Sequence, residues 1–546
     1  MTEPVKVEGL SLDLGVYSDA FQKLVDKATK NKLISRIWQR DHTVWKPQPT
    51  EIGNRLGWLD IATRMKSEIT TLDEFAHEVK QAGLSKVLLL GMGGSSLAPE
   101  LFANVFGGMK SGLELQVLDS TDPQAVLAKT ASHPPKQTLY IVSSKSGGTV
   151  ETSSFFRYFY NLAVAELGAD AGSHFASITD PGSGLAQTAV EHKFRRTFLA
   201  DPNIGGRYSA LTHFGLVPAA LVGVELNALV VSAETMAARC QNENPAENPG
   251  ALLGLALSCL AAQGRDKATF ALPAEKSSFG DWAEQLIAES TGKEGSGILP
   301  VTGEPPLQPG DYGLDRVFVN IGAKSVDKGH PRISMNWDDA ELGGLFFLWE
   351  FATAVAGHVL GINPFDQPDV EAAKVTARHF MDEYKKTGKL PQGKDETLSP
   401  QTLSKFLGQS SPGDYIALQA YAAPGERLSQ ALQVLRGQLP AKYRVATTLG
   451  YGPRFLHSTG QLHKGDGGKG LFIQFVTAPP LDDLPIPTDA GRPASEISFG
   501  VLKLAQARGD AEALRAAGRR VISFGIQGDL ADALDPLSTD QVGKHV

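Results

Sequence analysis

Short apolar segments rich in β-forming residues alternate with helix-periodic segments along most of this chain, and this alternation restricts the folds available to it. The apolar segments come in three groups: 86–90, 113–119, 138–144 and 175–179; then 268–273 and 315–322; then 414–421, 443–450, 469–476 and 519–528. Strands that alternate with helices predict an α/β fold in which parallel sheets are covered by helices on both faces.

The chain has 546 residues, which is too long for one ordinary hydrophobic core. We therefore expect several units. They are a helical N-terminal segment (1–65), a first doubly wound α/β unit (66–235), a second such unit (236–375) and a C-terminal α/β extension (376–546) that completes the second unit or forms a third.

Composition excludes some classes of partner. With 52 Lys and Arg against 60 Asp and Glu, the net charge is −8, so no basic field favours nucleic acid or an anionic membrane. The most apolar windows are too short or too polar for a membrane span, and no secretory signal is visible. The two cysteines, Cys240 and Cys259, lie in apolar helical sequence and are expected to be buried free thiols. These features predict a soluble, cytoplasmic protein.

Two turns have the character of anion-binding sites. In "GMGGSS" (91–96), glycines including Gly94 allow close approach of a ligand to the backbone, and Ser95 and Ser96 open a helix. In "SSKSGGTVETSS" (143–154), seven hydroxyl side chains surround Lys145 and two glycines between a strand and a helix. Backbone N–H groups at a helix start bind anions, and hydroxyls such as Ser144, Ser146 and Thr149 add donors.

Other interpretations of these turns remain open at this point. "GMGGSS" nearly matches a dinucleotide fingerprint, and Asp119 ends the next strand, but the third glycine is a serine. Ordinary helix caps explain one or two hydroxyls in a turn and explain seven poorly. No GxxxxGK[ST] motif is present, which excludes a P-loop.

Three further segments carry charged groups at turns. Arg207 follows a Gly-Gly turn, Glu289 ends an amphipathic helix beside a Gly turn, and Lys374 lies near a helix start in "NPFDQPDVEAAK". Taken singly, each has an ordinary explanation: a surface ion pair for Arg207, a solvated side chain for Glu289, and an i,i+3 partner of Glu371 for Lys374.

Taken together and in this order, "GMGGSSLAP", "SSKSGGTVET", "GGRYS", "ESTGK" and "NPFDQPDVEAAK" closely resemble the motifs of the phosphoglucose isomerase family. The resemblance covers about residues 80–375 and implies two sugar-isomerase domains, each a doubly wound α/β unit. The C-terminal part resembles the isomerase half of proteins that fuse transaldolase to such an enzyme.

The resemblance implies a hexose 6-phosphate substrate, a homodimer with shared sites, and neither a cofactor nor a metal. Glu289 is then the catalytic base, Arg207 lies near the C1 and C2 oxygens, and Lys374 assists ring opening. The implied substrate-binding residues are Gly94, Ser95, Ser144, Lys145 through its backbone, Ser146, Thr149, Gln285 and Gln367.

An aldose–ketose isomerisation requires catalytic groups of the same kinds. Moving a carbonyl from C1 to C2 through a cis-enediol(ate) needs one carboxylate that reaches both carbons, and a fixed cation beside the developing oxyanion.

The chain departs from the family at one point. The family's ring-opening histidine lies about thirty residues beyond the glutamate and comes from the neighbouring subunit, but residues 290–329 contain no histidine. His457 and His463, in a glycine-bracketed segment, are the candidates for this role; ordinary surface-loop histidines are the alternative.

Three other functions stay open on the sequence alone. They are a sugar-phosphate-binding regulatory protein without catalysis, a nicotinamide dehydrogenase using the Gly91–Ser95 turn, and an isomerase that also accepts mannose 6-phosphate.

Overall fold

The computed structural model describes residues 4–108, 112–323, 329–480 and 483–538. Its strands are β1 (Val5–Val7), β2 (Leu10–Asp13), β3 (Lys86–Gly91), β4 (Glu114–Leu118), β5 (Thr138–Ser143), β6 (Phe175–Thr179), β7 (Arg196–Leu199), β8 (Lys267–Ala271), β9 (Leu299–Val301), β10 (Arg316–Ile321), β11 (Arg332–Met335), β12 (Asp395–Glu396), β13 (Tyr415–Tyr421), β14 (Ala446–Tyr451), β15 (Gly470–Thr477), β16 (Pro485–Pro487), β17 (Ser495–Ser498) and β18 (Arg520–Ile526).

The α-helices are joined by turns and short 3₁₀ segments. They are α1 (Ser18–Lys30), α2 (Leu33–Trp38), α3 (Ile61–Met65), α4 (Ile69–Gln81), α5 (Leu97–Phe106), α6 (Pro123–Ser132), α7 (Val150–Leu167), α8 (Gly184–Glu191), α9 (His213–Val222), α10 (Leu226–Arg239), α11 (Pro249–Ala262), α12 (Ser277–Thr291), α13 (Leu342–Leu360), α14 (Glu371–Thr387), α15 (Pro400–Leu407), α16 (Glu426–Tyr443), α17 (Gly460–Gly465), α18 (Phe499–Ala516) and α19 (Leu530–Ser538).

The first sheet has the order β4-β3-β5-β6-β7, and all its strands are parallel. The side chains of β5 and β6 are buried throughout, as expected for strands with helices on both faces. Since β3 and β5 are neighbours, their carboxyl ends bring the "GMGGSS" turn and the hydroxyl-rich loop to one edge. That edge is where ligands bind in open α/β sheets.

The second sheet has the order β1-β2-β11-β10-β8-β9. The four strands β11, β10, β8 and β9 are parallel, whereas β1 and β2 form an antiparallel hairpin that pairs with β11. The N-terminal segment predicted as helical therefore also contributes two strands to the second sheet. The short strand β9 was missed too, because three residues before a Pro/Gly-rich loop carry too little periodicity to be recognised.

The C-terminal extension has a parallel sheet of its own, with the order β12-β18-β15-β13-β14. A hydrophobic core cluster within this unit includes Leu418, Leu432 and Phe475. The prediction of an α/β fold on parallel sheets is confirmed, and the extension adds a third sheet rather than strands to the second.

Buried apolar helices pack between the units. Among the described residues, the helical stretch Asp339–Leu360 is the one long and apolar enough to cross a membrane, and 89% of its apolar window is buried inside the protein. It packs against α10 and α11 as a core helix does. Cys240 and Cys259 are both buried and free, which confirms that expectation.

Candidate active site

The hydroxyl-rich loop joins β5 to α7 as a compact turn. The Ser144 and Thr149 hydroxyl oxygens are 3.2 Å apart, and the N–H of Gly147 donates to Ser144 Oγ at 3.2 Å. Gly147 has a φ of +71°, and a Cβ there would lie 2.6 Å from the backbone nitrogen of Leu185, so the turn requires glycine. Thr149 precedes α7 without a side-chain cap, which leaves the first N–H groups of this long helix available to an anion.

Lys145 contributes no side-chain cation to this turn. Its Nζ lies 2.7 Å from Asp180 Oδ2 and also donates to the carbonyl of Pro202 at 3.2 Å. The sequence predicts that the Lys145 backbone, rather than its amine, contacts the ligand; the structure shows the amine paired with Asp180, and the backbone role stays a prediction.

A cavity of about 300 Å³ opens beside the loop. It lies between the start of α7, the start of α14, α18 and the segment that contains His457. Its polar lining includes Ser146, Thr149, Glu151, Lys374, Arg378, His457, Lys464 and Gln506. Of the predicted site residues, Ser146, Thr149, Lys374 and His457 thus share one cavity.

A second cluster consists of Arg207, Glu289, Gln285 and Gln367. The Arg207 side chain is 2% exposed, and its Nη2 lies 3.3 Å from Glu289 Oε1. The same guanidinium donates to Gln367 Oε1 and, at 3.1 Å, to the carbonyl of Asp366. Gln285 Nε2 donates to Glu289 Oε2 at 3.1 Å, so both carboxylate oxygens of Glu289 are held. A buried permanent cation beside a fixed carboxylate is a suitable pair for proton transfer next to a developing oxyanion.

The "GMGGSS" turn lies against the turn that carries Arg207. A Cβ on Gly94 would be 2.0 Å from the carbonyl oxygen of Gly206, and Ser209 Oγ donates to the carbonyl of Gly94 at 3.3 Å. Only glycine allows this close backbone approach. Ser95 is half-buried in the same turn, and the buried Ser96 donates back to the carbonyl of Gly93.

His457 connects the cavity to the Glu289 cluster. Its carbonyl accepts from Gln285 Nε2 at 2.8 Å, and its ring Nε2 lies 3.0 Å from Glu151 Oε1. Glu151 is 4% exposed and also accepts from Gln506 Nε2 at 2.7 Å. Burial acts to raise the pKa of Glu151, but the charge and hydrogen bond of His457, with help from Lys374, outweigh it and lower the pKa. An ionised Glu151 is a hydrogen-bond acceptor for His457 Nε2.

His463 is not brought to this site. It is 2% exposed, its ring packs 4.9 Å from that of Phe472, and it does not line the cavity. Burial lowers its pKa well below the ordinary value for histidine. The structure places it in the core of the C-terminal unit, because α17 is buried on all sides and this position faces the sheet.

Several residues of the site were not singled out from the sequence. Lys293, 1% exposed in its side chain, donates to Asp366 Oδ1 at 2.8 Å and to the same carbonyl oxygen that Arg207 contacts. Burial, followed by the charge of Arg207, lowers the pKa of Lys293 to about 8. Lys293 belongs to the "ESTGK" motif, so a signal was present. Glu151 gave a weaker signal, because an acidic residue in the first turn of a helix is common.

Charged residues from the first and second α/β units hold the segment that carries His457. Arg454 contacts Asp119 Oδ2 at 3.1 Å, Asp281 Oδ2 at 3.4 Å and the carboxylate of Glu100. Ser458 Oγ donates to Glu284 at 3.3 Å, and burial, followed by the charge of Asp281, raises the pKa of Glu284 to about 8. His457 is therefore fixed by its neighbours on both sides.

The model of the phosphoglucose isomerase family matches residues 60–297. Two proteins named glucose-6-phosphate isomerase, from Thermosynechococcus vestitus and Synechococcus elongatus, are 26% and 27% identical to this chain. Their alignments cover 73% and 70% of this chain and 85% and 81% of their own lengths. Over residues 60–297 the chain is therefore similar to the phosphoglucose isomerase family.

Solved structures agree on the fold. The crystal structure of a glucose-6-phosphate isomerase from Chlamydia trachomatis has a TM-score of 0.58 at 18% identity and covers 70% of this chain and 90% of its own. A hypothetical protein from Thermus thermophilus has a TM-score of 0.55 at 22% identity and covers 68% of this chain and 99% of its own. The phosphoglucose isomerase match ends at residue 297, within the histidine-free stretch 290–329, and His457 lies beyond it in the C-terminal extension.

Proposed function

We propose that this protein is an aldose–ketose isomerase that interconverts glucose 6-phosphate and fructose 6-phosphate. The observation that carries the proposal is the Glu289 carboxylate held 3.3 Å from the buried Arg207, in a chain that also presents an uncapped hydroxyl loop. The names of the relatives support the same substrate.

The proposed reaction begins at the phosphate. Ser144, Ser146 and Thr149, with the backbone of Lys145, bind the 6-phosphate, while Gly94, Ser95, Gln285 and Gln367 flank the sugar. This binding positions the reactive end of the sugar at a fixed distance from the loop, which converts the proton transfers into steps within one complex.

Ring opening follows. With Nε2–H donated to Glu151, the other ring nitrogen of His457 takes the proton of the C1 hydroxyl, and the Lys374 ammonium protonates the ring oxygen. The C1–O5 bond breaks and an open-chain aldehyde results. The location of Lys374 and His457 in one cavity supports this pairing of acid and base.

Isomerisation then uses Glu289 twice. The carboxylate takes the proton from C2, the cis-enediol(ate) forms beside Arg207, and the same proton is returned to C1. General acid–base transfer of this kind contributes about 10²–10⁴-fold. The Arg207 guanidinium, 3.3 Å from Glu289, can stabilise the oxyanion as it forms. The oxidation of C2 balances the reduction of C1, so no external oxidant is needed.

A coupled assay of purified protein tests the proposal. Conversion of glucose 6-phosphate to fructose 6-phosphate supports it, and an unconverted substrate defeats it in favour of a non-catalytic sugar-phosphate-binding protein. Parallel arms use mannose 6-phosphate, whose turnover indicates a broader isomerase, and NAD(H), whose binding indicates a dehydrogenase.

His457 has an assay of its own. We expect His457→Ala to slow conversion of the cyclic substrate strongly while leaving the affinity for a non-reactive sugar phosphate nearly unchanged. His463→Ala is the matched control for catalysis, since His463 lies outside the cavity.

Location and assembly are also part of the proposal. The two buried free cysteines support a reducing, cytoplasmic environment. The family resemblance supports a homodimer, which sedimentation at micromolar concentration tests.

A further inference from the structure

The C-terminal unit contains a cavity of about 410 Å³ that the proposed reaction does not use. It lies between α18 and the segment 391–395, over strands β15 and β18. Its charged lining consists of Lys394, Arg508 and Arg515 against Asp395 and Glu512, and Gln474 and Ser523 are also among its lining residues. This volume is within the range of small-molecule sites.

The cations of this cavity have spare hydrogen-bonding capacity. Within the part of the chain that the structure describes, Lys394, Arg508 and Arg515 form no ion pair. Arg508 Nη1 donates to the carbonyl of Pro391, and Arg515 Nη2 donates to Ser523 Oγ at 3.4 Å. Positions 508 and 515 are seven residues apart on one helix, so both guanidinium groups extend from one face. Guanidinium donors without a carboxylate partner are suited to oxyanions, which they bind in a bidentate manner.

A continuous chain of hydrogen bonds leads from this cavity to the proposed active site. Ser523 Oγ donates to Gln474 Oε1 at 3.0 Å, and Gln474 Nε2 donates to Asp510 Oδ2 at 3.0 Å. Asp510 Oδ1 accepts from Lys464 Nζ at 2.6 Å. Lys464 lines the cavity beside the hydroxyl-rich loop, which we call the phosphate-loop cavity. Gln474 and Asp510 are fully buried, so these groups have no solvent to compensate for a lost partner.

Helix α18 provides a second connection. Arg508 and Arg515 line the C-terminal cavity, while Leu502 and Gln506 of the same helix line the phosphate-loop cavity. Gln506 donates to Glu151, the partner of the His457 ring. A small movement of α18 at one cavity would therefore displace side chains that line the other.

We propose that the cavity of the C-terminal unit binds a small multivalent oxyanion, a phosphate ester or polycarboxylate, and that its occupancy alters turnover at the active site. The binding claim is independent of the proposed isomerase activity, whereas the effect on turnover depends on it.

Isothermal titration with inorganic pyrophosphate tests the binding claim. The protein carries Ser144→Ala and Thr149→Ala, which disable the phosphate loop and leave the C-terminal cavity as the expected site. We expect one site per chain. Arg508→Ala with Arg515→Ala is expected to weaken binding about tenfold or more, because the change removes both guanidinium donors from the cavity. A parallel titration with citrate distinguishes a phosphate from a carboxylate ligand.

Two further variants make this result decisive. Glu512→Gln removes a carboxylate from the cavity at an exposed position, so it is expected to tighten binding without affecting folding. Arg427→Ala removes an arginine that is 61% exposed and lies outside the cavity, and it is expected to change nothing. No binding, or equal affinity in all these variants, overturns the site.

Steady-state kinetics test the coupling between the C-terminal cavity and the active site. In protein with an intact phosphate loop, pyrophosphate is expected to compete with substrate and also to change kcat at saturating substrate. The kcat effect is expected to vanish in Arg508→Ala with Arg515→Ala. Purely competitive behaviour in both proteins overturns the coupling and leaves the binding result unaffected.

Discussion

The amine of Lys293 is almost fully buried and hydrogen-bonded to the carboxylate and the carbonyl oxygen of Asp366. Arg207 contacts that same carbonyl, and the next residue, Gln367, accepts from Arg207. A charged Lys293 therefore holds the loop that positions the proposed catalytic arginine.

This arrangement predicts an alkaline limit to activity. The pKa of Lys293 is lowered from 10.5 to about 8, so in the native protein the amine loses its charge as pH rises through about 8. We expect kcat/KM to fall above that pH while the protein remains folded, because loss of the buried charge relieves a desolvation cost between about pH 8 and 10.5.

Lys293→Arg is the test, since arginine stays charged. We expect the alkaline limb of the kcat/KM profile to move to higher pH in this variant, with the acid limb unchanged. An alkaline limb that is identical in the two proteins would show that another group titrates there.

At the residue scale, sequence motifs marked some of the residues that the structure brings together and left others unmarked, while the roles of these residues stay predictions. Arg207, Glu289 and Gln367 each lie in a distinctive motif, and the structure brings them together. His457 and His463 are six residues apart in one segment. The difference between them is that His457 lines the cavity, whereas the His463 ring is buried against Phe472. Gln506 is 355 residues from Glu151, so no local pattern could have joined them.

At the scale of elements, the hydroxyl loop at the start of α7 is expected to govern binding more than chemistry, because it holds the phosphate end of the substrate. Ser144→Ala and Thr149→Ala should each raise KM by about tenfold, as expected for loss of a hydrogen bond to a charged group. We expect kcat to change much less.

Steady-state kinetics with glucose 6-phosphate check this expectation. Ser173→Ala, which removes an exposed hydroxyl outside the site, is the control. An undiminished affinity for substrate in the two loop variants would refute the assignment of the loop to the phosphate.

Helix α12 is expected to make stability depend on pH through Glu284. Its pKa is raised from 4.5 to about 8, so between these values the native protein holds a proton that the unfolded chain has released. The contribution of the protonated group is thus fully present below about pH 4.5 and is lost as pH rises through about 8.

Glu284→Gln should flatten this part of the dependence of Tm on pH and raise Tm at pH 8. Glu275→Gln, at an exposed position shortly before α12, is the matched control. Equal Tm profiles for wild type and Glu284→Gln would remove Glu284 as the cause.

Prediction of elements from sequence was accurate for strands buried on both faces. The segments 86–90, 138–144 and 175–179 are strands in the structure because continuous apolar runs bounded by turns have few alternatives. Several short strands were missed, among them the N-terminal hairpin β1–β2. The hairpin β1–β2 is stabilised by pairing with β11, more than 300 residues away. The sequence near the hairpin contains no pattern that indicates this pairing.

At the scale of the whole molecule, the C-terminal extension places His457 beside Glu151 and Lys374 of its own chain. The family resemblance implied a histidine from the neighbouring subunit, whereas here His457, Glu151 and Lys374 belong to one chain and one cavity. The charged contacts of Arg454 with Glu100, Asp119 and Asp281 attach the extension to both other units at this point.

Mixing two inactive variants distinguishes the two arrangements. If each site is completed within one chain, co-expressed Glu289→Gln and His457→Ala proteins should show no more activity than the two proteins measured separately. Recovery of activity in the mixed dimers would show that the histidine is shared between chains.

The most direct measurement of the central claim is the conversion of glucose 6-phosphate in ²H₂O by wild-type protein and by Glu289→Gln. We predict that the wild type forms fructose 6-phosphate with deuterium at C1 in part of the product, because the proton on Glu289 exchanges with solvent during the lifetime of the enediolate. We also predict that Glu289→Gln binds a sugar-phosphate analogue but converts about 10²–10⁴-fold less substrate. Unchanged kcat in Glu289→Gln, or no conversion by the wild type, would contradict the account.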